Sequence, residues 1–187
     1  MNFRKYWRKD DTKANKLTGL LSIVYLSVLF WIIVLKLNIS FSNIGKRRNI
    51  NLIPFHEPLI LNGKVDFGEM ILNVLIFIPL GLYVGILFKK LTNTRKIFSF
   101  FMVSLFCEVC QFILKIGAFD ITDIINNTFG GIIGLMLFKG TEKVFNNTVK
   151  AQKLINIIAT IGTILIILFL LYLKTNRFYT NHGLKYE

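Results

Sequence analysis

The chain has 187 residues, 53% hydrophobic and 18% charged, and its 23 Lys and Arg against 10 Asp and Glu give a net charge of +13. A mean hydropathy of +0.57 lies outside the range of soluble globular domains, so a soluble enzyme is excluded and the bilayer is the expected solvent. In such a chain the positive excess reads first as topology, and only then as affinity for a partner.

Apolar stretches near the roughly 20 residues that cross a ~30 Å hydrocarbon core occur at about 17 to 38, 70 to 88, 97 to 116, 122 to 138 and 154 to 173. They predict an all-α, polytopic membrane helix bundle of about five transmembrane helices, one membrane domain over residues 1–187. Residues 1–16 form a basic segment before the first span. That span is too long for the apolar region of a secretory signal and is followed by no small-residue cleavage site, so it is expected to stay as an anchor. The fourth span is short and rich in glycine, which requires close packing against neighbours. The fifth, 154–173, is an additional C-terminal helix.

Lys and Arg set the orientation, because positive charge in short loops resists translocation. Six lie before the first span, four in the 89–96 loop (Lys89, Lys90, Arg95, Lys96) and four in a 139–153 loop (Lys139, Lys143, Lys150, Lys153). Eight lie on the other side: Lys46, Arg47, Arg48, Lys64, Lys115, Lys174, Arg177 and Lys185. Fourteen against eight predicts a cytoplasmic N-terminus and an external C-terminus. The first loop and a tight turn at 117–121 then face outward, with Glu57, Asp66, Glu69, Asp120 and Asp123 on that face.

Charged groups at membrane depth cost about 2.5–3.5 kcal/mol at a helix centre on insertion scales, so their spacing is informative. In the third span Ser104, Glu108, Gln111 and Lys115 follow at intervals of four, three and four, which puts them on one face. Glu108 falls about halfway through the expected span. A carboxylate buried there finds a cation or keeps its proton, and it is the candidate catalytic residue if the chain is an enzyme. For Gln111 the plain reading is a hydrogen bond across the bundle.

The fourth span carries Asp120, Asp123, Asn127, Gly130 and Gly134 on one stripe. Asp120 and Asp123 also read as helix-capping acids, which leaves Asn127 and its neighbour Asn126 unexplained. Gly130 and Gly134, with Gly131, are a small-residue groove for helix packing. The second span offers Asn73, Phe77, Gly81 and Gly85 at successive i+4 positions, and Pro79 inside it predicts a kink. Together these stripes point Asn73, Glu108, Gln111, Asp123 and Asn127 toward one outward-opening cavity. Beside it the loop run Asn51, Leu52, Ile53, Pro54, Phe55, His56 suits a segment that dips into the outer interface. His56 titrates near neutral pH in an ordinary environment, although a lone loop histidine is more often a solvated polar group.

Cys107 and Cys110 form a CxxC without a second pair, which reads as two packing residues on a membrane helix. The sequons at Asn126 and Asn146 fall in a helix and a cytoplasmic loop. No phosphate-binding loop, zinc-ligand motif or nucleophile elbow is present, so no metal and no cofactor are expected. Basic residues are scattered over loops, against a nucleic-acid partner.

NLIPF at 51–55, NVLIFIPLGLYVG at 73–85, ExxQ at Glu108 and Gln111, and FDITDIINNTFGGIIG at 119–134 resemble, in order, the VanZ-like family of bacterial membrane proteins. The resemblance covers a core of about 51–138. It implies a protein of the bacterial cell membrane that confers low-level resistance to teicoplanin and related lipoglycopeptides at the cell surface, independently of replacing the D-Ala-D-Ala terminus. It also implies that the family's recurrent positions are here Asn51, Pro54, Phe55, Asn73, Glu108, Gln111, Asp120, Asp123 and Asn127. Two departures stand out. An arginine common before the last block is missing, with Lys115 its nearest replacement as a partner for Glu108, and Thr122 stands where a second acid is common.

The leading reading is a surface-resistance protein whose outward cavity binds a cell-wall precursor, a lipid head group or a lipoglycopeptide. An alternative is a membrane enzyme acting on a lipid-linked wall substrate with Glu108 as acid or base. A proton-coupled transporter is a third, weakened by the absence of an inverted repeat.

Overall fold

The computed structural model describes the backbone of residues 3–35, 50–55, 60–61, 64–65, 67–115 and 119–183. His56, Glu57 and Asp66, the Lys46–Arg48 run, Lys185 and the 116–118 part of the expected external turn lie outside the described residues. In chain order the elements are α1 (Phe3–Leu35), β1 (Ile50–Asn51), β2 (Ile60–Leu61), β3 (Lys64–Val65), α2 (Gly68–Leu87), α3 (Asn93–Leu114), β4 (Phe119–Asp120), α4 (Ile121–Phe145) and α5 (Thr148–Gly183). The fold is the expected all-α bundle. Among the described residues four helices are long and apolar enough to cross a membrane: Ala14–Val34, Gly68–Leu87, Asn93–Leu114 and Ile121–Phe145.

Several helix boundaries differ from expectation. The basic N-terminal segment is helical from Phe3, continuous with the first span. The fourth helix is not short: it runs 25 residues and carries Lys139 and Lys143 within it, because good helix formers after the glycines extend it past the apolar stretch. It stops at Asn146, whose left-handed backbone (φ 45°, ψ 28°) caps the helix. Asn147 then accepts at Oδ1 from the Val149 and Lys150 N–H groups, opening α5, so the expected loop is a two-residue turn.

The core joins the first four helices. Leu29, Ile33 and Val34 of α1 meet Phe77, Leu80 and Val84 of α2, Phe100 and Cys107 of α3, and Leu135 of α4. Cys107 is a buried free thiol, in keeping with the packing role expected of it. Around this core Phe98, Phe106, Ile113 and Met136 turn outward, as lipid-facing side chains do.

The tightest contact is between α2 and α4. A Cβ on Gly134 would overlap the Ile78 carbonyl, one on Gly130 the Val74 carbonyl, and one on Gly81 the backbone of Gly131 and Leu135. Gly85 faces the Phe138 ring. Gly131 differs from its neighbours in receiving the Phe100 ring of α3. Near the proline, the Tyr25 hydroxyl of α1 donates to the Ile76 carbonyl at 2.7 Å, next to the Leu75 carbonyl that Pro79 leaves without a helical donor.

Candidate functional site

Short backbone pairings bring β1 to the start of α4. β1 runs parallel to β4, with Ile50 opposite Phe119 and Asn51 opposite Asp120; β2 and β3 form a separate antiparallel pair. Asp120 is the N-cap of α4, and its Oδ1 accepts from the Thr122 N–H at 2.7 Å. Its Oδ2 accepts from Asn51 Nδ2 at 3.2 Å. Its own N–H donates to Glu108 Oε2 at 3.1 Å. One aspartate thus links β1, α4 and α3.

The turn after β1 is pinned to the same helix start. The Ile53 N–H donates to Asn51 Oδ1 at 3.3 Å and the Phe55 N–H to Thr122 Oγ1 at 3.0 Å. Phe55 adopts a left-handed backbone with φ 58°, a costly conformation for an aromatic residue, held by these bonds. Leu52, Ile53, Pro54 and Phe55 are all exposed. Thr122, which stands in place of a second acid, holds this turn through its hydroxyl. The sequence signal for that role was its position two residues after an acidic N-cap.

The remaining expected residues fall into three further contacts. Asn73 Nδ2 of α2 donates to Asp123 Oδ1 of α4 at 2.7 Å. Gln111 Nε2 of α3 donates to the Ile33 carbonyl at 2.7 Å, satisfying a carbonyl in the last turn of α1. Asn127 Nδ2 donates to Ser104 Oγ at 2.9 Å. Asn73, Asp120 and Asp123 are half-buried, whereas Glu108, Gln111 and Asn127 are 1, 2 and 1% exposed. Among the described residues, Gln111 Oε1, Asn127 Oδ1 and Asn126 Nδ2 are buried without a hydrogen-bond partner.

The bounds of α3 and the stripe both need correction. α3 is 22 residues, about 33 Å at 1.5 Å per residue, which puts Ser104 at its middle and Glu108 about 9 Å from its C-terminal end. The helix begins at Asn93, four residues before the expected start, because Thr92 caps it by accepting from the Arg95 N–H. Lys115 does not continue the stripe. It follows the helix end with φ 55°, ψ 36° and an exposed side chain, a position unsuited to a buried ion pair with Glu108.

A polar set that the sequence reading passed over joins α1 to α5. Thr18 Oγ1 lies 2.8 Å from the Ala14 carbonyl and 2.9 Å from Asn156 Oδ1, and accepts from Gln152 Nε2 at 2.8 Å. Gln152 Nε2 also donates to Asn15 Oδ1 at 2.9 Å. Gln152 and Asn156 are four residues apart on one face, a signal open to the same test that found the Glu108 stripe.

A family model described as VanZ/LLP1 matches residues 22–146, a stretch that adds α1 from Ser22 onward to the core recognised from its motifs. Protein VanZ of Enterococcus faecium is 38% identical over 156 residues, covering 82% of this chain and 90% of that protein. No solved structure matches. The order of the polar blocks, the bundle that carries them and a match over most of the chain agree: the chain belongs to the VanZ/LLP1 family.

Proposed function

We propose that this membrane protein lies in the bacterial cell membrane with its N-terminus inside and confers low-level resistance to teicoplanin and related lipoglycopeptides. The observation that carries the reading is the 38% identity to Protein VanZ over most of both chains. The working surface is the outer cluster of Asn51, Asn73, Glu108, Asp120 and Asp123 with its exposed lip of Pro54 and Phe55.

Half-buried carboxylates and amides suit a head group that donates hydrogen bonds, such as an amine, amide or sugar hydroxyl of a cell-wall precursor, lipid or lipoglycopeptide. Leu52, Ile53 and Phe55 offer apolar contact to an attached chain. Behind them, the unpaired amide atoms of Gln111 and Asn127 gain from any donor that reaches them.

The test is expression in a teicoplanin-sensitive host, comparing wild type with the Asp120→Asn/Asp123→Asn double variant at equal protein level. Wild type is expected to raise the inhibitory teicoplanin concentration and to change the amount of fluorescent teicoplanin bound to cells, and the double variant to do neither. Resistance lost with labelling unchanged would remove the binding surface from the account.

A further inference from the structure

At the end of the bundle opposite the acidic cluster, α1 and α5 leave a lateral groove of about 450 Å³, within the size range of small-ligand sites. Ala14 and Asn156 form its floor, Leu17, Ile157 and Ile161 its apolar wall, and Lys153 stands at one end. The groove lies directly over the Thr18–Gln152–Asn156 contacts, so buried hydrogen bonds between the two helices fix its floor. Lys153, Ile157 and Ile161 are spaced by four residues on α5. The apolar wall therefore runs about 12 Å along the helix from the lysine, toward the bilayer interior.

Charge favours one occupant. Lys153 lines the groove and is exposed; Lys150, one turn earlier on α5, and Lys16, next to Leu17 on α1, are exposed as well. Asn156 lines the groove, and its Nδ2 donates to the Ala14 carbonyl at 3.3 Å. Beyond these polar groups the wall is apolar, and Leu17, Ile157 and Ile161 are all exposed.

We propose that this groove is a binding site for an anionic phospholipid of the bilayer, with the phosphate against Lys153 and Asn156 and an acyl chain along Leu17, Ile157 and Ile161. A zwitterionic lipid fills the same apolar wall but gains less at the mouth, since its head group carries no net charge. A single lysine near an anionic surface is worth about fivefold in affinity, which sets the size of the effect to be read.

Native mass spectrometry of the detergent-purified full chain, offered equal dioleoylphosphatidylglycerol and dioleoylphosphatidylcholine, tests it. Wild type and Lys153→Arg are expected to retain the phosphatidylglycerol preferentially, and Lys153→Gln to lose that preference about fivefold. Ile157→Trp, which fills the groove from an exposed position, is expected to lose retention of both lipids at unchanged helix content by circular dichroism. Equal retention of the two lipids by wild type would overturn the proposal, as would wild-type retention in both the glutamine and tryptophan variants. Spontaneous disulfide linkage of two copies carrying Ile157→Cys would show the groove covered by a second chain, and would overturn it too.

Discussion

A carboxylate that is 1% exposed inside a membrane helix persists only if its acceptors are used. Glu108 Oε2 takes the Asp120 N–H, a backbone donor at the very start of α4 that would otherwise be one of the helix entry's costs. Alanine at this position leaves that donor without its partner, whereas glutamine still presents an amide oxygen. Glu108→Ala is therefore expected to destabilise the protein by about 1–3 kcal/mol and Glu108→Gln by less than about 1 kcal/mol, read from thermal unfolding in detergent. The pair also separates a positioning role from an acid–base role: if Glu108 transfers a proton, the glutamine variant stays folded and loses resistance completely. At this scale the spacing of Ser104, Glu108 and Gln111 was legible, since i, i+4, i+7 defines a face whatever surrounds it. The partner was not. Asp120 read as a cap, and the sequence contains nothing that says a cap's own N–H will meet a glutamate twelve residues earlier. Lys115 was misplaced for a local reason, since its own left-handed backbone ends the helix there.

The α2–α4 interface depends on backbone approaching backbone, which glycine alone permits at Gly81, Gly130 and Gly134. Gly134→Ala places a methyl group on the Ile78 carbonyl and is expected to cost at least about 2 kcal/mol. Gly140 lies on the same helix six residues later, where an added Cβ meets nothing within 4 Å. Gly140→Ala is expected to be neutral or stabilising by up to about 1 kcal/mol, because it removes only backbone entropy from the unfolded chain. The contrast, measured as loss of folded protein on heating, reports packing and not helix propensity, since propensity favours alanine at both sites. The small-residue spacing in both spans was readable, and so was the need of a glycine-rich fourth helix for close neighbours. The assignment of Gly131 to a ring on α3 was not, because a glycine says that something approaches and not which helix sends it. The α1–α5 contact escaped for a different reason: Gln152 fell in the expected 139–153 loop and Asn156 inside the fifth span, so the two were not set on one helix face.

At the scale of the molecule, polarity is segregated by end. Asp120, Asp123 and the strand-pinned lip gather where α3 ends and α4 begins, while Lys89, Lys90, Arg95, Lys139, Lys143, Lys150 and Lys153 gather where α2, α4 and their successors meet. The helical extension of α4 does not disturb this, since Lys139 and Lys143 stay at the basic end, and Lys139 Nζ reaches Asn93 Oδ1 at the start of α3 at 2.9 Å. By the positive-inside rule the basic end is expected to be the cytoplasmic one. In a variant with Cys107 and Cys110 replaced by serine, Leu52→Cys is expected to react with a membrane-impermeant maleimide in intact cells, and Lys90→Cys only after permeabilisation. Both positions are exposed, so access to the reagent and not burial decides the outcome. Labelling of Lys90→Cys alone in intact cells would invert the molecule, place the acidic cluster at the inner leaflet and remove it from any antibiotic that acts outside. The fluorescent-teicoplanin measurement gains its meaning from this result: only a cluster that faces outward can alter what binds at the cell surface by direct contact.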